Sequence, residues 1–266
     1  MYPYDLFLGL DLYDLMLLGG FFGALIYFRI FADRSRFGAG LQNLCIVAAL
    51  AAMIGGYGSA VLFQAVYNAM ESGIFVINAQ TGATFYGGLI GGVVLFLTVY
   101  FIGGRLVLKS RIAEQSFFRL ANIAAGSITL AHGLGRIGCL FAGCCHGPVT
   151  DAWYGIYNVS LDARTVPIQL LEAIFLLSLF AVLTYRLHKG RSGNFAAYIC
   201  LYAVWRFLIE YLRADERGAS FVPFLSPSQL TAVLLLLVGV GYLALERRLT
   251  ARIASDKDEE ATGDEG

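Results

Sequence analysis

Residues 121–141 read ANIAAGSITLAHGLGRIGCLF, an apolar run long enough to cross the hydrocarbon of a bilayer as a helix, with a single arginine, Arg136, close to its end. Six other windows have the same character: Leu10–Ile30, Leu41–Val66, Ala83–Ile102, Pro167–Tyr185, Asn194–Leu212 and Ser228–Leu245. The chain is 58% hydrophobic and 14% charged over 266 residues, a balance for lipid rather than for a soluble core. The expected fold class is an all-α integral membrane protein with seven transmembrane helices. Local signals mark their ends: Pro167 suits a first helical position, Ser228 after Pro227 reads as a cap, and Gly103, Gly104, Gly190 and Gly193 read as helix ends.

Basic residues flanking membrane helices stay on the cytoplasmic side. One set of loops holds Arg29, Arg34, Arg36, Arg105, Lys109, Arg111, Arg119, Arg186, Lys189, Arg191, Arg247, Arg248, Arg252 and Lys257, against Arg164, Arg213 and Arg217 in the opposite set. This predicts an extracytoplasmic N-terminus and a cytoplasmic C-terminus. No Lys or Arg precedes the first apolar run and no small-residue cleavage region follows it, so that run is expected to remain as a helix. Residues 1–250 form the expected transmembrane domain. Residues 143–166, with Trp153, Tyr154 and Tyr157, form a small extracytoplasmic cap at the bilayer interface. Residues 251–266 read as a disordered acidic tail. A formal net charge of zero implies no nucleic-acid partner.

The two basic residues outside the loops, Arg136 and Arg206, need a wet cavity or a partner inside the membrane. Helices four and six both run outward, which puts the two arginines at one depth toward the external face. On helix six, Glu210 and Arg213 follow Arg206 at helical spacing and predict a basic, acidic, basic column. Glu172 and Gln169, at the start of helix five, share that depth. So do Tyr13, near the start of helix one, and Tyr86, at the head of the glycine run Gly87, Gly88, Gly91, Gly92. Such a run admits a partner helix or a ligand close to the backbone. Guanidinium binds phosphate oxygens bidentately and stabilises charge developing on a departing phosphate, so an anionic phospholipid headgroup is the expected ligand.

Five cysteines, three of them crowded at Cys139, Cys144 and Cys145, do not make a disulfide framework. With His146 they raise tetrahedral zinc. A disulfide and buried apolar packing are the other readings of the cluster.

The segment Gly135-Arg136-Ile137-Gly138-Cys139 through Gly147 resembles the signature of the bacterial prolipoprotein diacylglyceryl transferases. Tyr86 to Gly91 is similar to that family's HGGLIG run, Val166 to Glu172 to its HPxQLYE segment, and Arg206 to Arg213 to its RxxxE helix. The resemblance implies transfer of diacylglycerol from phosphatidylglycerol to the lipobox cysteine of a prolipoprotein signal peptide, giving a thioether and glycerol phosphate. It implies a bacterial inner-membrane enzyme with no cofactor and an extracytoplasmic active site. Arg136, Arg206 and Glu210 match the family's essential residues, and Tyr13, Gly138, Gly147, Gln169, Glu172, Gly87, Gly88 and Arg213 are implied in substrate binding. Tyr86 stands in place of the family histidine, Cys139 of the signature asparagine and Cys144 of the signature glutamate. Cys139 is thereby also implied at the substrate.

The acceptor thiol must lose its proton before it attacks carbon. His146 is the first candidate base, with His132, Glu210 and a Tyr86 phenolate beside it. Alternatively, the arginine field alone lowers the thiol's pKa. The rival functions are a paralogue that delivers a lipid-derived group to another acceptor, and a non-enzymatic membrane protein that binds lipid or metal.

Overall fold

The computed structural model describes residues 9–78, 80–214 and 224–263; Arg217 and the last three residues of the acidic tail lie outside them. The chain is a multi-pass, all-α membrane protein, with seven helices long and apolar enough to cross a bilayer among the described residues. They are α1 (Leu12–Arg34), α2 (Ala39–Ser72), α3 (Phe85–Leu108), α4 (Ile112–Ala142), α5 (Ile168–His188), α6 (Asn194–Ile209) and α7 (Pro227–Gly263). Most outrun their apolar windows. A window ends where polar side chains begin, whereas the backbone hydrogen bonds of a helix continue until a cap or a left-handed residue stops them.

The caps differ in part from expectation. α7 begins on a reciprocal box in which the Gln229 amide donates to Ser226 Oγ (3.1 Å) and the Ser226 amide to Gln229 Oε1 (3.0 Å). Ser226 is therefore the cap and Pro227 the first helical residue, so Ser228 is not the cap. Gly103 and Gly104 lie inside α3 rather than at its end, because a Cβ on Gly104 would come within 2.6 Å of Ala113 Cβ; they permit close packing. α3 instead stops at Lys109, at φ +47°. A disordered tail is expected from residue 251, but α7 continues to Gly263 through a stretch that includes Ala251, Ala254, Glu259, Glu260 and Ala261, all good helix formers.

Two compact units divide the chain, residues 1–28 with 118–266, and residues 29–117. In the second, α2 and α3 pack along a seam of small residues. Gly88 and Gly92 of α3 face Gly56, Ala60 and Ala52 of α2, a small-xxx-small pattern on both helices. Above the seam the Thr84 amide donates to Ala60 O, Thr84 Oγ1 to Gln64 Oε1 (2.7 Å), and Gln64 Nε2 to Asn68 Oδ1 (2.9 Å).

In the first unit, α1 lies against α4 at Gly20 and Gly138, where a Cβ would come within 3.2 Å of Ala131 O and 3.1 Å of the Tyr13 ring. Tyr27 Oη meets Thr184 Oγ1 of α5 at 3.1 Å. The loop between α4 and α5 holds the only strands among the described residues, β1 (Ile156–Asn158) and β2 (Ala163–Thr165), paired antiparallel. Val149 joins β2 by a single bridge, so the expected cap is a small β-structure. Trp153, in the turn before β1, is 89% exposed.

Candidate functional site

α4, α5, α6 and the start of α7 supply a buried polar network in the first unit. Arg136, on α4, lies 3.2 Å from Glu172 Oε1 of α5 through Nη2. The same Nη2 donates to Tyr202 Oη of α6 (3.4 Å), and that hydroxyl donates to Glu172 Oε1 (3.1 Å). Glu172 is wholly buried, so its charge depends on this pairing. Tyr202 continues into aromatic contacts, with the His132 ring edge-on at 4.6 Å and Tyr198 stacked at 6.2 Å. His132 Nδ1 is 3.0 Å from Tyr198 Oη.

Arg206 repeats the arrangement one turn further along α6. Its Nη2 lies 2.7 Å from Glu210 Oε2 and donates to Ser228 Oγ of α7 (2.8 Å). Ser226 Oγ donates to Glu210 Oε1 (2.8 Å), so the residue that caps α7 also holds the carboxylate. Both arginines thus have one nitrogen engaged by a carboxylate and a hydroxyl. A second guanidinium N–H on each, Arg136 Nε and Arg206 Nη1, is buried with no hydrogen-bond partner among the described residues.

Tyr198, Tyr202, Arg206 and Glu210 stand at four-residue intervals and share one face of α6. The helical column expected for Arg206, Glu210 and Arg213 stops short of its last member. After Ile209 the chain tightens into a 3₁₀ turn over Glu210–Leu212, and Arg213 is extended. Its guanidinium hydrogen-bonds Cys145.

Of the expected residues at the cap junction, Gln169, Gly147 and His146 engage the junction's own backbone rather than an arginine. Gln169, buried, donates to the Cys144 carbonyl and Asn158 Nδ2 to the Gly143 carbonyl (2.9 Å). Gly147 packs where a Cβ would strike Ile168 and Val166, its amide donating to Val166 O. His146, the first candidate base, has Nδ1 2.8 Å from Gly147 O, and the histidine that joins the arginine network is His132. Tyr13 lies on Gly138. The Sγ atoms of Cys139, Cys144 and Cys145 gather within 4.8 Å of one another, and His146 is not in the group. Hydrogen bonds with Cys139 and Cys144, and then Arg213, hold the Cys145 thiol well below the usual thiol range. Hydrogen bonds with Cys139 and Cys145, with burial, push Cys144 well above it.

Gly87 and Gly88, expected at the substrate, belong to the second unit and face α2, where Cβ atoms would meet Phe63 at 2.6 Å and Ala60 at 3.3 Å. Their lack of side chains serves helix packing. Tyr86 is in the same unit and 39% exposed. Missed in the sequence were Tyr202, Tyr198 and Ser228. Extending the four-residue spacing backward from Arg206 finds the two tyrosines; Ser228 reads in the sequence only as a cap and meets Arg206 through the fold.

The sequence model described as prolipoprotein diacylglyceryl transferase matches residues 4–245. The chain is similar to the phosphatidylglycerol–prolipoprotein diacylglyceryl transferase of Clostridium tetani, 28% identical over 77% of this chain and 80% of that protein. It is also similar to the phosphatidylglycerol–prolipoprotein diacylglyceryl transferase of Clostridium botulinum, 32% identical over 76% and 78% of the two chains. A third relative, phosphatidylglycerol–prolipoprotein diacylglyceryl transferase 2 of Clostridium perfringens, is 29% identical over 75% and 76%.

Proposed function

Because the chain belongs to the prolipoprotein diacylglyceryl transferase family, we propose that Arg136 and Arg206 hold the phosphatidylglycerol headgroup while its diacylglyceryl group moves. The protein is a transferase that carries diacylglyceryl from phosphatidylglycerol to a prolipoprotein. The observation that carries the site assignment is the pair of buried guanidinium donors without a partner among the described residues, Arg136 Nε and Arg206 Nη1. Leaving such a donor unsatisfied costs about 1–3 kcal/mol, which an incoming phosphate oxygen recovers. Glu172 and Glu210 hold Nη2 of each guanidinium, so both forks are oriented before the lipid arrives.

The acceptor is the lipobox cysteine of the precursor's signal peptide. Its sulfur, with the thiol proton given up, attacks the glycerol carbon of the diacylglyceryl group, the bond from that carbon to the phosphate oxygen breaks with both electrons going to the oxygen, and glycerol phosphate departs. Arg136 and Arg206 stabilise the charge gathering on that oxygen, a contribution of about 3–4 kcal/mol per well-placed donor. Glu172 and Tyr202 position Arg136; Glu210, Ser226 and Ser228 position Arg206. The site faces the extracytoplasmic side of a bacterial inner membrane, a reading supported by the uneven loop charges and by the exposed rings of Trp153 and Tyr154 in the cap. Tyr86 keeps its place in the reaction by resemblance to the family's HGGLIG run.

The test is mass spectrometry of a lipobox peptide incubated with phosphatidylglycerol and the purified protein. A diacylglyceryl mass gain that disappears with Arg136→Ala supports the assignment. Full activity in a folded Arg136→Ala protein overturns it.

A further inference from the structure

The cysteines of the α4–cap junction stand beside the arginine network and the mechanism above does not use them. Cys139 lies in the last turn of α4, one turn after Arg136 on the same face. Gly143 at φ +76° and Cys145 at φ +60° then fold the chain back. On regular extended backbone the side chains of residues 144 and 145 would point to opposite sides. The left-handed conformation at Cys145 is what lets Cys139, Cys144 and Cys145 bring their sulfurs within 4.8 Å of one another. Such a conformation costs about 1–3 kcal/mol in a residue with a side chain and persists where the surroundings hold it. Here Gln169 holds the Cys144 carbonyl and Asn158 the Gly143 carbonyl, and both side chains are buried.

Apolar packing does not account for the cluster, since Cys144 is exposed. All three thiols are free, and a disulfide would join two and strand the third. Three thiolates suit a soft cation, and three protein ligands with a fourth position open are the pattern of a reactive zinc site rather than a structural one. His146, outside the group, does not close the fourth position.

We propose that Cys139, Cys144 and Cys145 hold a thiophilic divalent cation of the zinc class, and that its open position binds the thiol of the acceptor cysteine. The proposal rests on the transferase reading and supplies what Tyr86 leaves missing, a means of presenting a thiolate. Coordination releases the thiol proton to solvent. The bound sulfur then forms its bond to the glycerol carbon as the carbon–oxygen bond to the phosphate breaks, with both electrons leaving on glycerol phosphate. No oxidant or reductant takes part. Because Cys139 is one turn from Arg136, the thiolate is delivered beside the headgroup that departs.

The test uses the full chain purified in detergent with phosphatidylglycerol. Elemental analysis is expected to find about one zinc per chain, lost in Cys144→Ser and Cys139→Ser and kept in Cys200→Ser. Replacement by cobalt should give thiolate-to-metal absorption that changes when a lipobox peptide is added, and not when its cysteine is replaced by serine. Chelation should slow transfer at least tenfold, with zinc restoring it. Transfer at full rate after removal of metal, or in a folded Cys144→Ser protein, overturns the proposal and leaves the transferase reading standing. A disulfide within the cluster, or cobalt absorption indifferent to the peptide, also overturns it. Absence of transfer by the zinc-loaded wild type on any lipobox peptide sinks the transferase reading itself.

Discussion

The two units bury opposite things. In residues 29–117 the α2–α3 seam buries backbone: Gly56, Gly88 and Gly92 bring the two helices together, with the Thr84–Gln64–Asn68 chain at one end, while elsewhere in the unit Gln42 donates to Asp33 and Tyr100 to Ala113 O. The first unit instead buries charge, two arginines and two glutamates tied by Tyr202, Ser226 and Ser228. In lipid, helices gain no hydrophobic drive from meeting one another, so a close seam is a device for packing, whereas charge within the span makes packing harder. The contrast separates residues that position helices from residues proposed to position a substrate.

The largest break in that contrast is expected at Arg206. Arg206→Lys keeps the charge and loses the fork, so Glu210 and Ser228 retain a partner while the donor meant for phosphate disappears. Transfer should fall about 100-fold, or about 2.7 kcal/mol of transition-state stabilisation, with thermal stability in detergent nearly unchanged. A lysine variant of wild-type rate would mean that Arg206 acts only as a charge.

Gly88→Leu attacks the other side of the comparison. Even a Cβ at this position approaches Ala60 Cβ to 3.3 Å and Gly56 O to 3.5 Å, so a leucine must drive α3 off α2. The expected loss is about 1–3 kcal/mol of stability, read as a lower unfolding temperature, with Gly88→Ala near the low end. If Gly88→Ala left stability intact and abolished phosphatidylglycerol binding, the seam would be a ligand surface after all.

This difference also explains how much of the molecule is legible in its sequence. Seven spans were legible because length and apolarity alone define them, and Arg136 and Arg206 stood out because charge there is rare. Their partners were legible only within one helix: Glu210, four residues from Arg206, follows from spacing, while Glu172 is paired with Arg136 across two helices. Glycine was the weak letter. Gly87 and Gly88 suggest a neighbour more than a ligand, and only the facing residues of α2 show which neighbour it is. The cysteine cluster was ambiguous for a related reason: adjacent Cys144 and Cys145 point apart on regular backbone, and the left-handed turn at Cys145 that gathers them has no signature in a non-glycine residue. The end of α6 shifted Arg213 because a 3₁₀ last turn is not distinguishable from α-helix by spacing over three residues.

The smallest effect is expected at Ser226, where packing and positioning coincide. Its hydroxyl oxygen accepts from the Gln229 amide as the cap of α7, and its proton goes to Glu210 Oε1. Ser226→Ala should cost about 1 kcal/mol of stability and slow transfer by a few fold, through a looser Glu210 and hence a looser Arg206. Ser226→Asp keeps an acceptor for the cap but has no proton for Glu210 and sets a second negative charge beside it. Stability lost through the cap should return in part in Ser226→Asp while the rate falls further, and Ser226→Thr should restore both. If rate and stability moved together through all three variants, the hydroxyl would serve the helix end alone, and Glu210 would position Arg206 without help from α7.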